Sequence, residues 1–132
     1  MKLLFFIIGF SLFASVNPGC KTKKESIATD TCFKGKLEIK ANCMNYTISI
    51  QQGTMDTSLY VSSWTNESTG TTYKNVFGLA SKCNFPTNIN EGDEFYFMID
   101  STTEQGCAVC LLYYPVPEKK LGIRVIQDPC TE

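Results

Sequence analysis

Histidine is absent from the 132 residues. That removes the commonest general base, the Ser-His and Cys-His nucleophile pairs, and every zinc site that needs an imidazole. Neither sign of charge is in surplus, since 12 basic and 13 acidic residues leave a formal charge of −1. No field for a polyanion is built in, so nucleic acid is not an expected partner. Apolar residues show no clear 3.6-residue period over eleven or more positions, which argues against amphipathic helices. Paired-carboxylate hydrolysis needs no histidine, but nothing marks a particular pair. The chain therefore reads as non-catalytic, with no cofactor.

What is present begins with an export signal. Met1 and Lys2 make a short basic start, and residues 3–14 are an apolar run broken only by Gly9 and Ser11. Twelve residues are too few for a transmembrane helix, which needs about 20, but they suit the h-region of a signal peptide. A small-x-small cleavage site is poorly formed, because Phe13 precedes Ser15 by two and Ala14 precedes Val16. Gly19 and Cys20 instead resemble the end of a lipobox, with Asn17 and Pro18 where leucine and a small residue are usual. The following CKTKKES resembles the lysine-rich tether of small Bacteroidota-type lipoproteins. The resemblance implies lipidation at Cys20 and a membrane partner through that anchor. Lys21 after the cysteine implies an outer-membrane lipoprotein facing the periplasm, with the cell surface or secretion as the alternative. The expected organisation is a signal peptide at 1–19, the lipidated cysteine and a flexible tether at 20–31, and a β domain at 32–132.

Cysteine arithmetic agrees with export. Seven cysteines are an odd number, and an odd thiol in an exported protein needs a reason. Lipidation would use Cys20 and leave Cys32, Cys43, Cys83, Cys107, Cys110 and Cys130 for three disulfides. Cys32 and Cys130 bracket everything that looks folded, and domain termini often lie close together, so these two are expected to pair. For the other four, the expectation is Cys43 with Cys83 and Cys107 with Cys110. The second of these needs a turn. Four fully extended residues would set the two Cα atoms about 10 Å apart, beyond the ~7 Å a disulfide allows. Either Gly106 starts a turn, or each cysteine bonds elsewhere. A redox role for this Cys-x-x-Cys would want a helix N-terminus, and a Cys-only zinc site would want a second close pair; the sequence offers neither.

Between the bracketing cysteines, short runs alternate in the manner of strands. Phe33, Leu37 and Ile39 alternate with Lys36, Glu38 and Lys40, and Tyr46, Ile48 and Ile50 with Thr47, Ser49 and Gln51. Further runs lie at 59–64, 73–80, 94–99, 108–114 and 121–126, separated by turn signals such as Gln52-Gly53 and Asn90-Glu91-Gly92-Asp93. The fold class is all-β: a small disulfide-stapled barrel of the OB-like kind, with a long bent first strand over 33–51, or alternatively an immunoglobulin-like sandwich with Trp64 between Cys43 and Cys83.

Four aromatics are candidate binding residues. Trp64 and Tyr73 lie in the polar stretch 62–75, and Tyr113 and Tyr114 precede Pro115. Such rings stack on sugars or anchor a protein partner, or fold back over the core of a surface hairpin. Glu91, Asp93 and Glu94 around Gly92 could suit calcium, though the spacing is not that of an EF-hand loop. Asn45-Tyr-Thr47 and Asn66-Glu-Ser68 match the glycosylation sequon. The expected function is a binding module of the bacterial envelope, with a glycan or an envelope protein as partner. The alternative is a lipoprotein-type inhibitor of an envelope-attacking hydrolase. A concave aromatic groove would favour the glycan, and a rigid exposed loop with an anchoring side chain the inhibitor.

Overall fold

Alternation in the sequence becomes alternation in burial over residues 32–40, but not over 46–50, where Thr47 and Ser49 are buried together with Ile48. A computed structural model describes residues 32–102 and 107–130; the expected leader, Cys20 and the tether lie outside them. In β1 (Cys32–Lys40), Phe33, Gly35, Leu37 and Ile39 are buried, while Lys34, Lys36, Glu38 and Lys40 are only half-buried. This is the two-residue period of a strand with one face on a core. β2 (Tyr46–Gln52), β3 (Val61–Thr65), β4 (Thr72–Leu79), β5 (Glu94–Ile99), β6 (Lys120–Leu121) and β7 (Ile123–Ile126) complete the sheet, and no α-helix occurs among the described residues.

Six strands run in the order β3-β4-β2-β1-β5-β7, with β6 against β4. Every pairing is antiparallel except that of β4 with β6. Only Gly122 separates β6 from β7, so one short segment touches β4 at one end and β5 at the other. That bridge rolls the sheet around its core without closing it, since the β4 side supplies only the pairs Gly78 with Lys120 and Leu79 with Leu121. The all-β, disulfide-stapled class is as expected, and an open sheet rolled this way is compatible with a barrel. Glycine is required at the bridge. A Cβ on Gly122 would lie 2.2 Å from the Asp100 carbonyl oxygen, because Asp100 N–H donates to the Gly122 carbonyl at 2.9 Å.

The core is built around Phe97, which is fully buried. Its ring lies 5.5 Å from Phe33, 5.8 Å from Phe77 and 6.0 Å from Phe95, and Phe85 extends the chain of rings to Tyr46. Leu37, Ile48, Leu79, Leu121 and Ile123 fill the space between them. Lys40, at the end of β1, fastens the loop that leads into β5. Its ammonium donates to the carbonyls of Thr87 at 3.1 Å and Ile89 at 2.6 Å and to Asn90 Oδ1 at 3.2 Å.

Two expectations are corrected. Residues 33–51 are not one bent strand. β1 and β2 form an antiparallel hairpin, broken at the 3-10 turn Asn42–Met44, where Cys43 and Met44 have φ of 57° and 53°. Left-handed backbone at two successive residues with side chains reverses the chain and ends the ladder. Residues 108–114 are not a strand either. They join no ladder, and the reason lies in how their cysteines are bonded.

Candidate functional site

The structure joins Cys32 to Cys130, Cys43 to Cys110 and Cys83 to Cys107. The first is the pair expected from the chain ends, but Cys43 with Cys83 and Cys107 with Cys110 are corrected. Residues 107–117 carry no turn or bend, so the turn that a bond between Cys107 and Cys110 would need is not there. Each reaches a different element instead. Cys107 bonds the segment after β4, and Cys110 bonds the turn between β1 and β2. The result is a strap, residues 107–117, tied across the domain rather than woven into its sheet.

Polar side chains continue the attachment. Asn45 Nδ2 donates to the Leu112 carbonyl at 2.9 Å and to the Asn42 carbonyl at 2.9 Å, while its Oδ1 accepts from Lys82 Nζ at 3.3 Å. Leu112 N–H donates to Cys43 Sγ at 3.3 Å. Tyr113 Oη donates to Glu67 Oε1 at 2.8 Å. That bond, and then the Glu67 charge itself, hold the Tyr113 phenol above its usual pKa. Tyr114 Oη accepts from Asn66 Nδ2 at 3.2 Å. Pro115 and Pro117 are buried and end the strap against the body.

Asn66 shapes the β3–β4 turn as well. It is fully buried; its N–H donates to the Thr71 carbonyl at 2.9 Å, its own carbonyl accepts from Gly70 N–H at 2.8 Å, and its Oδ1 accepts from Ser68 N–H at 2.9 Å. The two sequon asparagines are thus both anchors of the strap, with their amide nitrogens already committed to the protein.

The four candidate aromatics meet at this hairpin. Trp64 and Tyr73 are cross-strand partners in β3 and β4, with ring centroids 6.1 Å apart and planes at 29°. Both are half-buried. Burial first, and then the charges of Glu38 and Glu91, push the Tyr73 phenol up. Tyr113 and Tyr114 reach the same hairpin through Glu67 and Asn66. These rings form no groove. Two depressions of about 440 Å³ flank the strap, one beside the 3-10 turn Asn42–Met44 and one beside Ser81 and Asp100, and none of the four aromatics lines either. The acidic turn does not converge: Glu91 accepts from Lys40 N–H, Asp93 from Asn90 N–H, and Glu94 pairs with Lys34. No group of three or more metal-ligating side chains occurs among the described residues.

What stands out is apolar. Leu111 is 99% exposed, Tyr113 77% and Leu112 60%, on a segment fixed from both sides. Leu111 and Leu112 were not among the residues expected to bind. Their signal was nonetheless present, as CLLYYP is apolar at successive positions with no alternation, unlike a strand with one solvated face.

Fold and site together define a disulfide-stapled all-β domain that holds an apolar segment out from its surface. No protein family, curated protein or solved structure matches this chain.

Proposed function

We propose that this chain is an exported lipoprotein whose domain is a non-catalytic binding module of the bacterial envelope, and that its partner is a protein docked on Leu111, Leu112 and Tyr113. One observation carries the reading: an apolar tip, led by Leu111 at 99% exposure, on a segment fastened by two disulfides and four hydrogen bonds. Exposed apolar side chains of this kind mark contact sites, and a segment already ordered loses little freedom on binding. A glycan is less well served, because Trp64 and Tyr73 stack on each other and none of the four aromatics lines either depression beside the strap. Anchoring at Cys20 is supported by arithmetic: the three disulfides use six of the seven cysteines, and Cys20 is the seventh.

The test is a photo-crosslinking residue placed at position 111 of the full chain, exported by its own leader in an envelope-bearing host, with position 128 as comparator. A discrete protein adduct from 111 and none from 128 is expected. Equal labelling from both positions would contradict the reading. In the same cells, Cys20→Ser should shift the chain from the membrane to the soluble fraction.

A further inference from the structure

The strap narrows the kind of partner. Leu111 makes no hydrogen bond with any described residue through either backbone group. No described residue occupies its N–H or carbonyl, and its side chain is 99% exposed. Immediately before it, Cys110 is bonded to Cys43; immediately after it, the Leu112 carbonyl is held by Asn45 and the Leu112 N–H points at Cys43 Sγ. The peptide bond between Leu111 and Leu112 is therefore exposed while both of its flanks are fixed.

A chain without turns that offers the free backbone donor and acceptor of Leu111 and its protruding side chain matches one type of receptor surface well: the cleft of an endopeptidase. Such a cleft adds an extended segment by main-chain hydrogen bonds and reads alternate side chains in pockets. The side-chain chemistry selects the pocket. Residues 107–117, CAVCLLYYPVP, carry no charge, and the foremost side chain is leucine. An apolar primary pocket fits it, and a pocket with a buried carboxylate does not.

Resting on the reading of the strap as a docking segment, we propose that the domain inhibits serine endopeptidases of apolar primary specificity, with Leu111 filling the pocket. Fixation accounts for inhibition rather than digestion. Attack by the enzyme's serine oxygen on the Leu111 carbonyl carbon would form an ester, break the bond to Leu112 nitrogen and pass the serine proton to that nitrogen. Cys43, Asn45 and Glu67 would keep the new amine beside the ester carbonyl. There it reforms the peptide bond faster than water completes hydrolysis, the advantage of a tethered reactant over a free one.

The experiment uses the full chain, exported and purified with its disulfides formed, against chymotrypsin, subtilisin and trypsin assayed on small chromogenic substrates. One-to-one inhibition of chymotrypsin or subtilisin, with trypsin unaffected, is the expected result. Leu111→Asp should weaken that inhibition by about 100-fold or more, as the loss of a buried leucine side chain and the burial of a charge require. Leu111→Lys should move inhibition to trypsin. Because Leu111 is 99% exposed and bonds no described residue, both variants should keep the wild-type unfolding temperature. Failure of the wild-type chain to inhibit either apolar-specific enzyme, or an undiminished effect of Leu111→Asp, overturns the proposal. If inhibition fails while the adduct from position 111 persists, the docking reading stands without this one.

Discussion

Replacing both Cys32 and Cys130 with serine should lower the unfolding temperature by roughly 15–30 °C, the shift that about 4 kcal/mol produces in a domain of 60–100 residues. Cys32 opens β1 and pairs across to Met98 in β5; Cys130 follows β7, which lies on the other side of β5. Their bond therefore ties the start of β1 to the segment after β7, on either side of one strand. It closes a separation of 98 residues, with Cα atoms 5.4 Å apart. Restricting an unfolded chain by a loop of that size is worth about 4.7 kcal/mol in the entropy account. Domains of this length have a total stability of only about 5–15 kcal/mol, so the variant should be marginal at 37 °C. A scan showing a shift below about 3 °C would mean that the ends are held by something else.

Phe97→Ala should cost about 3–5 kcal/mol, read from the denaturant midpoint at unchanged slope. The ring is fully buried and contacts three other phenylalanines. It also occupies the space over Gly35, where an added Cβ would come within 2.9 Å of it. Glycine on β1 is thus the complement of the large ring on β5, and the two lie on one face two residues out of step, since Gly35 pairs with Phe95 and Phe33 with Phe97. Ladders on both sides of β5 hold its backbone, so the cavity would not collapse easily. A loss under about 1 kcal/mol would show that the core repacks and that Phe97 is not its centre.

How much of this could be read beforehand follows from what the signals measure. Phe33, Leu37 and Ile39 gave themselves away because a strand with one wet face alternates, and burial in β1 follows that alternation residue by residue, whereas in β2 Thr47 and Ser49 are buried along with Ile48, so that strand has no wet face there. The chain-end disulfide was legible because termini tend to meet. The strap was not. Leu111, Leu112, Tyr113 and Tyr114 have the composition of a strand, and only their long-range partners show otherwise. Two successive left-handed residues at Cys43 and Met44 turn the hairpin, and neither residue type signals that conformation. Asn45 and Asn66 read as modification sequons, yet each is consumed by hydrogen bonds to residues 67 and 48 positions away. Of the four aromatics chosen from sequence, Trp64 and Tyr73 stack on each other within the hairpin, Tyr114 fastens the strap to it through Asn66, and only Tyr113 also shares the exposed tip.

The strap is tied at two different places, through Cys107 and through Cys110. Digestion without reduction, using a protease that cuts between Ala108 and Val109 or on either side of them, separates Cys107 from Cys110 and lets mass spectrometry identify the partner of each. The predicted result is Cys110 joined to Cys43 and Cys107 joined to Cys83. A bridge between Cys107 and Cys110 would contradict the account, because the strap would lose both covalent ties and Leu111 would no longer be held out in one fixed presentation.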